Sequence, residues 1–153
     1  MAQFAFAKRE LKEKFDTKFL VMKGQDIRDQ FGVNQWMERD RVITSLDLAK
    51  RAEILPGLRQ VHWDLVIVDE AHHMSAADES HKSLRYRLGE LLRDSSDHIL
   101  LLTATPHKGD PANFSLFLQL LDADVYADAR LSSLRVRPET SRWIAEFSEH
   151  EAD

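Results

Sequence analysis

The sequence predicts an α/β protein, a parallel sheet flanked by helices. Three observations carry this. Leu65-Val66-Ile67-Val68 and Ile99-Leu100-Leu101-Leu102 are uninterrupted apolar runs of strand length. Neither alternates with polar residues, so each is expected to be buried on both faces, as strands inside a parallel sheet are. Between them, residues 79–93 place Leu84, Leu88, Leu91 and Leu92 at i, i+4, i+7 and i+8. That is an amphipathic helix long enough to return the chain for a parallel neighbour.

The remaining elements follow the same alternation. Residues 7–15 read as a helix, with Ala7, Leu11 and Phe15 along one stripe. Phe19-Leu20-Val21-Met22 is a strand closed by Gly24, and residues 25–31 read as a helix that Gly32 caps. Arg41-Val42-Ile43-Thr44 is a second strand. Leu46, Leu48, Ala49, Ala52 and Leu55 then predict a helix that stops before Pro56-Gly57. After the second apolar run, Phe114, Phe117, Leu118, Leu120 and Leu121 mark another helix. Alternating strands and helices of this kind build an α/β sheet.

Composition bounds what the chain can be. Its 153 residues amount to one domain or a piece of one, and 43% hydrophobic with 31% charged residues is a globular balance. The absence of cysteine removes disulfide scaffolds, thiolate metal sites and cysteine nucleophiles, and fits a reducing compartment. Lys8 and Arg9 interrupt the start before any signal-peptide core, and no run approaches the ~20 apolar residues of a membrane span. A cytoplasmic protein without a membrane partner is expected. The net charge of −5 argues against binding nucleic acid by bulk charge. The densest basic stretch is residues 8–23, where Lys8, Arg9, Lys12, Lys14, Lys18 and Lys23 outnumber Glu10, Glu13 and Asp16; its plain reading is a solvated helix face.

Chemistry concentrates where the two apolar runs end. Ligands of open α/β sheets sit beyond the carboxyl ends of the strands. The first run empties into Asp69-Glu70-Ala71-His72 and the second into Thr103-Ala104-Thr105-Pro106. If the strands are parallel, both tetrapeptides share one rim. Adjacent carboxylates at the end of a dry strand require a cation or solvent. Mg²⁺, which keeps several waters and takes one or two carboxylates plus phosphates, suits them. Asp69 can hold the ion while Glu70 takes a proton from water. The competing reading is that the two acids simply begin a helix. Adjacent histidines at 72 and 73 share no face of a helix or strand, which argues against a metal site there.

Taken in order, these segments resemble a known family. Trp63-Asp64-Leu65-Val66-Ile67-Val68-Asp69-Glu70-Ala71-His72 resembles the Walker B segment (motif II, a DEAH box) of superfamily 2 helicases, and Leu101-Leu102-Thr103-Ala104-Thr105-Pro106 resembles their motif III. Arg41-Val42-Ile43-Thr44-Ser45-Leu46 resembles the motif Ib strand, and Arg9-Glu10-Leu11-Lys12-Glu13-Lys14-Phe15 the helix after motif Ia. Glu70-Ala71-His72-His73 and Thr105-Pro106-His107-Lys108-Gly109-Asp110 are most similar to the Swi/Snf-type DNA translocases.

The resemblance implies a partial RecA-like P-loop NTPase fold, the N-terminal lobe of an ATP-driven helicase or translocase, over residues 1–126. It implies ATP and Mg²⁺ as cofactors of the complete domain and double-stranded DNA as its partner. Asp69 would coordinate Mg²⁺, Glu70 would activate the attacking water, and His72 would join the nucleotide-sensing network. Thr103, Ala104 and Thr105 would couple hydrolysis to domain movement, and Thr44 and Ser45 would touch the nucleic-acid backbone. The sequence departs from the pattern in one respect. None of its five glycines, at 24, 32, 57, 89 and 109, lies in a Gly-x-x-x-x-Gly-Lys-Ser/Thr frame. A fragment inactive alone, lacking the phosphate-loop strand and the second lobe, is therefore expected, with the missing halves of the motor as partners if it is made separately. Residues 127–153 form a tail without a family match, with a short helical signal at Pro138, Trp143, Ile144 and Phe147. A non-catalytic interaction module and a motor-subunit fragment of a restriction system remain as alternatives.

Overall fold

The computed structural model describes residues 2–28, 32–76, 82–104 and 111–126. Helix α1 (Ala2–Phe15) ends at Asp16, whose positive φ of 48° turns the chain out of the helix. Strand β1 (Leu20–Val21) and strand β2 (Val42–Ile43) pair in parallel, Leu20 opposite Val42, with helix α2 (Gly24–Arg28) between them. Gly24 thus opens a helix rather than closing a strand, because Asp26 accepts the Lys23 N–H at 2.7 Å and nucleates the turn there. The rest of the helix expected over residues 25–31 lies outside the described residues. Gly32 has the left-handed φ of 88° expected of a cap.

Helix α3 (Leu46–Ala49) is capped by Ser45, whose hydroxyl accepts the Leu48 N–H at 3.1 Å. It does not run on to Leu55. A separate helix, α4 (Leu55–Arg59), begins there with Pro56 in its first turn. Proline lacks only an N–H that a first turn leaves unpaired anyway, so Pro56 starts a helix where the sequence suggested a stop. Gly57 makes the next contact possible: a Cβ there would meet Asn34 Oδ1 and Trp36 Cδ1 at 3.2 Å. Asn34 donates to the Gly57 carbonyl at 2.8 Å and accepts from the Trp36 N–H at 3.1 Å, fixing the fully buried Trp36 against α4.

Strand β3 (Trp63–Val68), helix α5 (Leu84–Asp94) and strand β4 (Ser96–Leu101) form the expected crossover. The strands are parallel, with Leu65 opposite His98 and Val68 opposite Leu101. Ser83 caps α5 by accepting the Tyr86 N–H, and Ser95 and Ser96 donate to the Leu91 and Leu92 carbonyls at its other end. Leu88, Leu91 and Leu92 are buried as the periodicity requires, while Leu84 is exposed. Helix α6 (Pro111–Gln119) docks on α5: Tyr86 OH donates to the Leu116 carbonyl at 3.0 Å and Arg93 to the Gln119 carbonyl at 2.7 Å. Helix α7 (Ala123–Tyr126) follows.

The sheet corrects one expectation. β3 and β4 make a two-stranded sheet, separate from the β1–β2 pair, and among the described residues only one of its faces is covered. Val66, Val68, Ile99 and Leu101 pack on the core around Met74, Tyr86 and Leu88. On the other face Leu65, Ile67, Leu100 and Leu102 are 54%, 52%, 45% and 40% exposed. An unbroken apolar run reports that both faces avoid water, but burial needs a second layer of elements, and none of the described residues supplies it. Phe15, expected on the apolar stripe of α1, is 70% exposed.

Two consequences are measurable. The bare face is an adhesive surface, so Ile67→Thr together with Leu100→Thr should raise the monomer fraction in light scattering without loss of helicity. Gly89 lies in mid-helix, where alanine ordinarily adds about 1 kcal/mol. A Cβ there would stand 3.0 Å from both methyls of the fully buried Leu120. Overpacking of that kind costs about 1–3 kcal/mol, so Gly89→Ala should lower rather than raise the denaturation midpoint.

Candidate functional site

Parallel pairing places the ends of β3 and β4 on one rim, and two hydrogen bonds continue the pairing past the strands. Leu102 N–H donates to the Val68 carbonyl and Ala71 N–H to the Leu102 carbonyl, both at 2.9 Å. Asp69 and Glu70 occupy the turn between these bonds, exposed to solvent. Asp69 Oδ1 accepts the Glu70 N–H at 3.0 Å. Glu70 has φ 51° and ψ 43°, a left-handed conformation that costs a non-glycine residue about 1–2 kcal/mol. The next four residues hold it there. Ala71–Met74 form a 3₁₀ turn in which Ala71 and Met74 are fully buried and the His73 N–H returns to the Glu70 carbonyl at 3.0 Å. Strain sustained by buried anchors on both sides is a mark of functional turns.

His72 joins the two strand ends. Its Nδ1 lies 3.0 Å from Thr103 Oγ1 and 3.2 Å from Glu70 Oε2, with the side chain 17% exposed. Three of the residues singled out in the sequence, Glu70, His72 and Thr103, therefore form one chain of polar contacts from the first strand end to the second. Ala104 follows, exposed; Thr105 lies outside the described residues. The rings of His72 and His73 stand 4.2 Å apart within the 3₁₀ turn. Among the described residues no group of three His, Asp or Glu side chains is disposed to hold a metal.

Thr44 and Ser45 lie at the end of β2, away from this chain of contacts. Thr44 Oγ1 donates to the Met22 carbonyl at 3.3 Å, and Ser45 spends a lone pair on the α3 cap. Along α1, Lys14 pairs with Glu10 at 2.8 Å and Arg9 with Glu13 at 4.0 Å, all solvent-facing. A hollow of about 160 Å³ lies elsewhere, between Ile27, Trp36, Ile54 and Gln60.

Residues 9–146 match the family model of the SNF2-related domain. The chain belongs to that family. It is similar to the RNA polymerase-associated protein RapA of Yersinia pestis, 40% identical over 97 residues that make up 62% of this chain and 10% of that protein. RapA of Yersinia enterocolitica is 33% identical over 123 residues, 78% of this chain and 12% of its own length. The chain thus spans about a tenth of the length of the curated relatives it matches. Membership makes the partial RecA-like α/β fold a family property, and no helix among the described residues is long and apolar enough to cross a membrane.

This SNF2-related domain also contains a cluster that sequence reading missed. Asp47, in the first turn of α3, accepts from both Lys50 Nζ and Arg85 Nη2 at 2.7 Å on the same oxygen, Oδ1. The bridge ties the start of α3 to the start of α5. Acid in a helix's first turn after a serine cap was the available signal, but the partner lies 38 residues away. The Arg85 guanidinium, and then the Lys50 ammonium, hold the Asp47 carboxyl well below its ordinary 3.8, at about 2. Folding therefore favours the ionised form, and the tie's contribution is present above the unfolded value and lost as pH falls through about 2. The difference in Tm between the parent and Asp47→Asn should stay constant from about pH 7 to 5 and shrink from about pH 4 to 2, measured by calorimetry.

Proposed function

We propose that this chain supplies the hydrolytic rim of an ATP-dependent SNF2-type DNA translocase. Residues 1–126 carry the described part of the N-terminal lobe, and the family match runs on to residue 146 of the stretch expected to be a tail. The observation that supports this most is His72, which holds the Glu70 carboxylate and the Thr103 hydroxyl through one ring nitrogen. A side chain so placed feels both strand ends and can transmit a change at one to the other.

The donor set fits Mg²⁺. Asp69 and Glu70 are exposed hard-oxygen ligands at a strand end, and no cationic side chain pairs with Asp69 among the described residues. One or two carboxylates are what Mg²⁺ takes from protein when phosphates and water complete its shell. Asp69 would hold the ion, which when bound neutralises charge on the phosphates of ATP. Glu70, kept in place by the strained turn and by His72, is the group to accept a proton from the attacking water. Thr103, at the other end of the His72 contact, senses where that carboxylate stands. Thr44 and Ser45, at the end of β2, would meet the phosphate backbone of DNA, a contact that positions without reading sequence.

Because the sequence holds no Gly-x-x-x-x-Gly-Lys-Ser/Thr frame, the 153-residue chain alone should hydrolyse ATP no faster than buffer. The decisive experiment places residues 9–126 in the matching segment of a full-length SNF2-related relative. That chimera should show DNA-dependent ATP hydrolysis, and Glu70→Gln within it should lower kcat by about 10²-fold or more while retaining nucleotide. Equal turnover by the chimera carrying Glu70→Gln would remove Glu70 from the chemistry.

A further inference from the structure

The Asp47 bridge leaves an electrostatic surplus. Lys50 and Arg85 both donate to Asp47 Oδ1 at 2.7 Å, so their nitrogens lie within twice that distance of each other. One carboxylate neutralises one cation, and among the described residues no second acidic side chain pairs with Lys50 or Arg85. The nearby Lys82–Glu90 pair, 2.7 Å long, is already balanced. The Arg85 fork is also incompletely used: its Nε is enclosed and has no acceptor among the described residues. Two cations so close repel unless an anion stands beside them.

Their position selects the anion. Asp47 and Lys50 belong to the turn that Ser45 caps, directly after the strand end Thr44-Ser45, and Arg85 is in the first turn of α5. We propose that Lys50 and Arg85 form a phosphate-backbone contact for nucleic acid that extends the Thr44–Ser45 strand end, with Asp47 acting as the holder that keeps the two cations together. This rests on the nucleic-acid reading of Thr44 and Ser45 given above. It also explains how a chain of net charge −5 can meet a polyanion, since the surplus is local. Lys50 and Arg85 are roughly one-third exposed, enough for their charged ends to reach a ligand.

The test is the salt dependence of binding by the 153-residue chain to a fluorescent duplex of about 20 base pairs, from roughly 20 to 200 mM salt. Each lost phosphate contact should make the slope of log K against log salt shallower by about 0.9. Lys50→Ala and Arg85→Ala should each show this loss, and Arg85→Lys should restore the slope. Lys50→Ala should lower the melting temperature less than Asp47→Asn does, since Arg85 still holds Asp47 and an exposed pair contributes little to stability. Arg59→Ala, at the end of α4 that leads into the start of β3, controls for general charge and should not move the slope. Parent slopes in both alanine variants, with binding weakened by Thr44→Val, would overturn the inference while leaving the strand-end reading intact. No binding by the parent at the lowest salt would overturn both.

Discussion

Everything at the candidate site depends on amide pairing that outlasts the strands. The β3–β4 ladder ends at Val68 and Leu101, yet Leu102 N–H still reaches the Val68 carbonyl and Ala71 N–H still reaches the Leu102 carbonyl. These two bonds hold the loops after both strands at sheet spacing. They confine Asp69 and Glu70 to a two-residue turn, which forces Glu70 into its left-handed backbone. The burial of Ala71 and Met74 then keeps the turn from relaxing, since releasing it would draw two apolar side chains into water at about 1.5–3 kcal/mol for a methionine. The contact between His72 and Thr103 follows from the same pairing, which sets the two loops close enough for one imidazole to reach across.

Packing is concentrated on one side of the sheet. α5 returns the chain between the strands and shares a core with α6, where Tyr86 and Arg93 satisfy carbonyls at two places along the neighbouring helix. These bonds matter because a carbonyl enclosed between helices without a donor is costly. The opposite face of β3 and β4 remains apolar and exposed, so among the described residues this sheet carries helices on one face. The division between the β1–β2 and β3–β4 pairs leaves Thr44 and Ser45 linked to the β3–β4 rim through α3 and the Asp47–Arg85 bridge rather than through a ladder.

Charge shows how far a count differs from a placement. The chain is acidic, and its densest basic stretch is partly neutralised along α1 by Glu10 and Glu13. The cations that converge come from residues 50 and 85, which no local window of sequence would join.

The sequence by itself determined the elements that rest on local physics. Two apolar runs and an amphipathic segment made β3, α5 and β4 legible, and their parallel pairing followed from the length of the crossover. The strand-end positions of Asp69, Glu70, His72 and Thr103 were legible for the same reason, because a strand's end is set by where its apolar run stops. Residues whose role depends on a distant partner were not legible. Pro56 read as a stop until Trp36 and Asn34 showed what α4 packs against. Leu65, Ile67, Leu100 and Leu102 read as buried because an apolar run records the surroundings a strand requires, not whether a second layer is at hand. Ser45 and Asp47 carried a local cap signal, but only the tertiary fold brings Arg85 to Asp47, since a charge pair across 38 residues is a matter of helix placement and leaves no periodicity in the chain.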